Sequence, residues 1–201
     1  MQIMKKISSK KLKSGDEIRV IAPASSASTM KPAKRKLADK RAMNSLGLKV
    51  TYGKHVFEKD ILNSSSIKSR VQDLHDAFRD KNVKGIACVR GGYNSNTLLP
   101  YLDWELIKNN PKPIWGYSDI TVLANAIYTK TGLVTYSGPN YSTFGMDEEK
   151  DAVSYIFENF KKCLMREEEF EVMPSKFFGE RKIKPQKNKG YQVLQSGVTE
   201  G

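Results

Sequence analysis

Cysteine, histidine and acidic residues are scarce in this chain, and each shortage narrows what it can be. Two cysteines in 201 residues supply no disulfide framework. Cys88 lies inside the apolar run Gly85-Ile-Ala-Cys-Val89 and Cys163 follows a helical pattern, so both read as reduced, structural thiols. With His55 and His75 as the only histidines, no histidine–cysteine cluster has metal-ligand spacing, and neither a metal nor a cofactor is expected. Glycine-rich phosphate loops of the P-loop or dinucleotide type are missing. No stretch approaches the ~18 consecutive apolar residues of a membrane span. Met1 to Lys13 is basic but lacks the apolar core of a signal peptide. The expectation is a cytoplasmic protein without a membrane partner.

Only 22 acidic residues stand against 34 lysines and arginines, a formal net charge of +12. That balance raises the question of nucleic acid. The basic residues are spread along the chain, however, apart from Lys5 to Lys13, Lys31 to Arg41 and Lys182 to Lys189. No helix-turn-helix, zinc or RNP-type pattern accompanies them. A solvated basic surface follows, with nucleic acid not expected as partner. A basic rim also suits an anionic substrate.

What the chain does have is alternation. Glu17 to Ala22 reads as an apolar strand ending in the small-residue loop Pro23-Ala-Ser-Ser26. Lys31 to Leu46 has helical character, with Leu37, Met43 and Leu46 among charges and Gly47 as a stop signal. Leu48 to Tyr52 suggests a second strand. In Ser66 to Asp80, the spacing of Ile67, Val71, Leu74 and Phe78 predicts a helix with one buried stripe. Gly85 to Val89 is a strand running into Arg90-Gly-Gly-Tyr93. A short helix at Trp104 to Lys108, a strand end at Ile114-Trp115, a helix over Asp119 to Thr131, a strand at Leu133 to Tyr136 and a long helix over Asp147 to Leu164 complete the series.

Such alternation predicts an α/β fold, a mainly parallel sheet with helices on both faces. Right-handed crossovers then place the loops after the strands on one edge, where open sheets bind ligands. Four of those loops carry small or chemically capable residues: Pro23 to Ser26, Arg90 to Tyr93, Gly116 to Asp119 and Ser137 to Pro139. Residues 1–165 therefore form the first domain. After Arg166 the character changes: Phe170 to Pro174 and Tyr191 to Leu194 are strand-like pieces in a Lys-, Gly- and Pro-bearing stretch. Residues 166–201 read as a linker and the opening of an incomplete second domain.

Ser118, in Gly116-Tyr-Ser-Asp119, sits where an apolar strand turns into a helix. This resembles a nucleophile elbow in purpose, though the second glycine of Gly-x-Ser-x-Gly is missing. The Asp119 amide, at the positive end of that helix, is a natural oxyanion donor, and Gly91 or Gly92 suits a second because neither has a side chain to block close approach. The alternative is that Ser118 or Asp119 simply caps the helix. His75 reads as a partly buried structural histidine, and His55 lies in a loop after the second strand. Neither is evidently placed to activate the serine.

Arg90-Gly-Gly-Tyr93, Leu98-Leu-Pro-Tyr-Leu-Asp103, Gly116-Tyr-Ser-Asp-Ile-Thr121 and Ser137-Gly-Pro139 resemble the LD-carboxypeptidase family of serine peptidases. Asn63-Ser-Ser-Ser66, Arg70-Val-Gln-Asp-Leu74, Asn94-Ser-Asn96, Ala126 to Tyr136 and Ser196 to Gly201 look closer to its microcin C immunity branch. The resemblance implies a Rossmann-like N-terminal domain, a smaller β-rich C-terminal domain and a homodimer. It implies Ser118 as the nucleophile of a Ser-His-Glu triad, with the Asp119 amide and Gly91 or Gly92 as the oxyanion hole. Arg90, Tyr93, Asn94 and Ser95 border that loop and are expected to meet substrate. The family trims D-alanine from murein tetrapeptides, and the immunity branch cleaves an aminoacyl or peptidyl group from a nucleotide-like moiety. In the family the histidine and glutamate come from the C-terminal domain. They are therefore expected beyond residue 201, leaving these residues nearly inactive alone. The sequence details favour a peptidyl-nucleotide amide over murein peptide. A non-catalytic ligand-binding domain, or a basic nucleic-acid binder using the same sheet edge, is the alternative class.

Overall fold

A computed structural model of the chain describes residues 5–146, 150–178 and 186–190. Five apolar segments pair into one all-parallel sheet: β1 (Glu17–Ile21), β2 (Lys49–Tyr52), β3 (Val83–Cys88), β4 (Ile114–Gly116) and β5 (Tyr136–Ser137). Their order is β2-β1-β3-β4-β5. The chain steps outward from β1 to β2, then recrosses to β3 and continues the other way. The order thus reverses between β1 and β3, where open α/β sheets leave a crevice at the carboxyl ends of the strands.

The crossovers are α1 (Pro32–Leu46), α2 (Ile67–Arg79), α3 (Trp104–Asn109) and α4 (Ile120–Thr131), followed by α5 (Tyr141–Phe144) and α6 (Lys150–Leu164). Strand alternation divides the core in two. Ile18, Val20, Ala87, Val89 and Trp115 pack on α1, α5 and α6, whereas Ile21, Ile86, Cys88 and Ile114 pack on α2, α3 and α4. The α/β architecture with both sheet faces covered is the one expected from the alternation.

Local chemistry explains most boundaries. Ser66 opens α2 by accepting the Ser69 amide at 3.0 Å, and Gly47 ends α1 in the left-handed conformation, φ 69°. The stripe of α2 holds, with Leu74 and Phe78 buried and Ile67 and Val71 packed at its edge. In α1 the expectation fails in part: Ala38, Ala42 and Leu46 face the core while Met43 is exposed. The small residues are buried because α5 crosses α1 closely; a methyl on Gly145 would lie 2.2 Å from the Lys34 carbonyl.

Three other expectations change. The segment Leu133 to Tyr136 does not form one strand; only Tyr136–Ser137 joins the sheet, and Leu133 bridges in parallel to Ile7. Phe170 to Pro174 has no strand assignment; among the described residues the first strand pairing after α6 is β6 (Phe177–Phe178) antiparallel to β7 (Gln186–Lys187). Tyr191 to Leu194, the Ser196 to Gly201 end and the start of the helix at Asp147 lie outside the described residues. Among the described residues no helix is long and apolar enough to cross a membrane.

Candidate active site

The turn from β4 into α4 is held from three sides. Gly116 ends the strand where no side chain fits: a methyl there would stand 2.9 Å from Ile120 Cγ2 and 3.0 Å from both Cys88 Cβ and Asn140 Oδ1. The Tyr117 amide donates to Asn140 Oδ1 at 3.1 Å, and Asn140 itself is buried at the head of α5. Tyr141 fixes that head in place, since its hydroxyl and that of Tyr52 both donate to Asp39 Oδ1 on α1. Burial first, then the Asp39 carboxylate, pushes both phenols above their ordinary range.

Ser118 emerges from this turn with φ 65°; Asn63 is the only other non-glycine residue described with positive φ. A left-handed serine costs on the order of 1–3 kcal/mol, which the surrounding contacts must offset. The result is an exposed hydroxyl with no hydrogen bond to any described residue. The capping alternative does not describe this turn. Asp119 is the N-cap residue of α4 but makes no side-chain cap bond, and Ser118 makes none either.

The loop after β3 closes on the serine. A methyl on Gly91 would lie 2.9 Å from Ser118 Cβ, 3.1 Å from its Oγ and 3.2 Å from the Asp119 amide nitrogen. Gly92 instead backs onto the loop after β1, where a methyl would meet Ser25 Oγ at 2.9 Å. The amides of Gly91, Gly92, Ser118 and Asp119 donate to no other described residue. Unpaired N–H groups beside a nucleophile, at the positive end of a 12-residue helix, can receive a developing negative charge. Loops after β1, β3, β4 and β5 thus adjoin one another, as the parallel topology requires.

The other residues expected at the site divide. Arg90 and Tyr93 are fully or largely in solvent at the rim, with the half-exposed Tyr117. Ser95 is fully buried, and its hydroxyl turns inward to Asp119, 2.7 Å from its carbonyl oxygen and 2.8 Å from Oδ1. Asn94 is half-buried, its carbonyl accepting from Arg70 at 3.1 Å.

The apolar spacing of α2 does not single out Arg70, which is buried on it all the same. It is 5% exposed and donates to the carbonyls of Ser65, Pro23 and Asn94 and to the Thr97 hydroxyl. One guanidinium therefore joins the N-terminal end of α2 to the loops after β1 and β3. Burial lowers its pKa, opposed by the charges of Asp60 and Asp119. The available signal was its position: Arg70 lies three residues after Ile67 and four before Leu74, on the apolar stripe.

Neither histidine reaches Ser118. His55 Nδ1 lies 2.6 Å from Glu58 Oε1 and Nε2 3.3 Å from Gln72 Oε1, and the Glu58 carboxylate raises its pKa. His75 Nε2 accepts the Asp103 amide at 3.0 Å, and burial lowers its pKa. Cys88 lies under Gly116, free and fully buried, its thiol pushed up to about 12. Among the described residues, no group of three or more histidine, cysteine or acidic side chains could hold a metal ion.

Comparison with known proteins agrees with this fold. The chain is 48% identical over 198 residues to the putative carboxypeptidase YocD of Bacillus subtilis, covering 95% of this chain and 60% of YocD. An MccF-like protein from Bacillus anthracis superposes with a TM-score of 0.86 at 52% identity, over 92% of this chain and 57% of that one. The microcin C7 self-immunity protein MccF, solved with aspartyl sulfamoyl adenosine, gives a TM-score of 0.82 at 31% identity, over 91% and 58%. The chain thus spans less than two thirds of the length of these proteins. Residues 18–138, from β1 to β5, match the family model for the LD-carboxypeptidase N-terminal domain, and the chain belongs to that family.

Proposed function

We propose that residues 1–165 form the nucleophile-bearing domain of a serine hydrolase acting on a small peptidic amide. The observation that carries this is Ser118, held at φ 65° with an unbonded, exposed hydroxyl and the Gly91 backbone packed against it. Its Oγ attacks the substrate carbonyl as a base removes the proton. The carbonyl oxygen, now negative, is received by the Asp119 amide and the glycine amides. Collapse expels the amine and leaves an acyl-serine that water hydrolyses.

The base is neither His55 nor His75, whose rings are engaged elsewhere. Histidine and glutamate from outside these 201 residues complete the triad in this reading. The 201 residues alone then retain little turnover. The scissile bond joins an aminoacyl or peptidyl group to a nucleotide-like moiety. In support, the related MccF binds aspartyl sulfamoyl adenosine, and the basic surface with Arg90 at the rim suits a phosphate-bearing ligand.

The test is Ser118→Ala in the protein that carries the completing histidine and glutamate, assayed side by side on aspartyl sulfamoyl adenosine and a murein tetrapeptide. Turnover should fall on the order of 10⁶-fold with folding unchanged. The nucleoside substrate should be preferred. Retained activity in the variant removes the nucleophile assignment, and preference for the tetrapeptide moves the substrate to the murein class.

A further inference from the structure

The segment Arg90 to Tyr93 makes no main-chain hydrogen bond to a described residue, so its course depends on how its two ends are pinned. At the β3 end, the Val89 amide donates to Ile21 at 2.9 Å and its carbonyl accepts from Ser142 at 2.9 Å. At the far end the partner is the Asp119 side chain. Its Oδ2 accepts the main-chain amides of Asn94 and Ser95, each at 3.0 Å, and its Oδ1, at 2.8 Å, shares the single Ser95 O–H with the Asp119 carbonyl. From the other side, Arg70 donates to the Asn94 carbonyl at 3.1 Å. Asn94 is thus gripped at its N–H by a carboxylate and at its C=O by a guanidinium, and charge-assisted bonds of this kind are the strong ones.

Asp119 also supplies the main-chain amide next to the nucleophile. The side chain that pins the Gly-Gly loop and the amide that faces the developing charge therefore belong to one residue. We propose that the Asp119 carboxylate is a positioning residue for the oxyanion hole, fixing the Gly91 and Gly92 amides relative to its own amide. Donors must lie within about 2.7–3.1 Å of the transition-state oxygen to stabilise it. A slack loop would leave substrate affinity largely intact and weaken the transition state. A role in stability alone would do neither. This inference rests on Ser118 being the nucleophile.

The experiment compares Asp119→Ala and Asp119→Asn with the unsubstituted protein and Ser118→Ala, all in the form that carries the completing histidine and glutamate. It reads kcat and KM on aspartyl sulfamoyl adenosine, and thermal unfolding. Asp119→Ala should lower kcat on the order of 10²-fold with KM within about threefold. Asp119→Asn keeps one acceptor oxygen for the two amides, and should recover about tenfold of that loss. A folded Asp119→Ala with kcat within about threefold of the unsubstituted chain overturns the inference. So does a loss carried by KM alone, or one that merely follows the unfolded fraction. If the alanine variant does not fold, the asparagine variant decides: kcat lower by about tenfold at unchanged KM supports positioning, and unchanged kcat overturns it. Activity surviving in Ser118→Ala removes the underlying reading and this inference with it. Ser118-dependent activity that ignores Asp119 removes this inference alone.

Discussion

Replacing Gly91 by alanine adds one methyl group at a crowded point of the proposed site, against the nucleophile. Gly91 does not have a positive φ, so its backbone accepts an L side chain without torsional cost. The penalty is steric, and it falls on the nucleophile: the methyl would stand 2.9 Å from Ser118 Cβ and 3.1 Å from its Oγ. Rotation about χ1 can carry the hydroxyl away but cannot move Cβ. Ordinary carbon–carbon contact begins at about 3.5 Å, so the two backbones must part by about 0.6 Å or more. Overpacking of this size costs about 1–3 kcal/mol of stability. A displacement approaching 1 Å at reacting atoms costs on the order of 10²-fold in rate. The expected result for Gly91→Ala, in the protein that carries the completing histidine and glutamate, is therefore a folded protein with kcat/KM on aspartyl sulfamoyl adenosine lower by about that factor. Thermal unfolding and steady-state kinetics on this variant and its parent suffice. A folded Gly91→Ala with kcat/KM within about threefold of the parent would refute the claim that this glycine is required beside the nucleophile.

Two further outcomes concern the scaffold. Arg70→Met keeps the apolar stem but strands the carbonyls of Ser65 and Pro23, so denaturant unfolding should register a loss of about 3 kcal/mol or more. Arg70→Lys should recover less than half of it, because one ammonium lacks the guanidinium fork. The second concerns pH. Burial would raise the Glu17 carboxyl, but bonds from the Thr51 hydroxyl and the Arg19 guanidinium bring it below the ordinary range. Asp80 is lowered by the Asn82 amide and then by Arg19. Lowered carboxyls contribute stability that is present above their unfolded pKa and lost as pH falls through the folded value. Arg19→Met should therefore be less stable at pH 7 and lose less on acidification from about pH 5 to 3. Parallel urea transitions with equal acid sensitivity in both proteins would contradict this.

The α/β architecture was legible because its signals are local. Apolar strands, the stripe of α2, Gly47 and the Ser66 cap each act within a few residues, and parallel pairing then forces the loops onto one edge. The elbow was visible for the same reason, as a serine between a strand and a helix. Where reading failed, the deciding contact lay far off in the chain. The small face of α1 is buried because α5 crosses it, and the edge strand shifts to Tyr136–Ser137. Ser95 was expected at the substrate but is turned inward by Asp119, 24 residues later.

By itself the sequence determined the fold class and the sheet edge on which the proposed site and Ser118 stand. From it neither His55 nor His75 is evidently placed to activate the serine, and in the structure both rings are engaged elsewhere. Only the tertiary structure left the turn at Ser118 without a side-chain cap bond, set Gly91 against Ser118 and Gly92 against Ser25, and brought Arg70 and Asp119 to the two sides of Asn94. The physical reason is range. Backbone propensity and hydrophobic period act along the chain, whereas hydrogen-bond geometry and close packing depend on which distant atoms meet once the strands have paired.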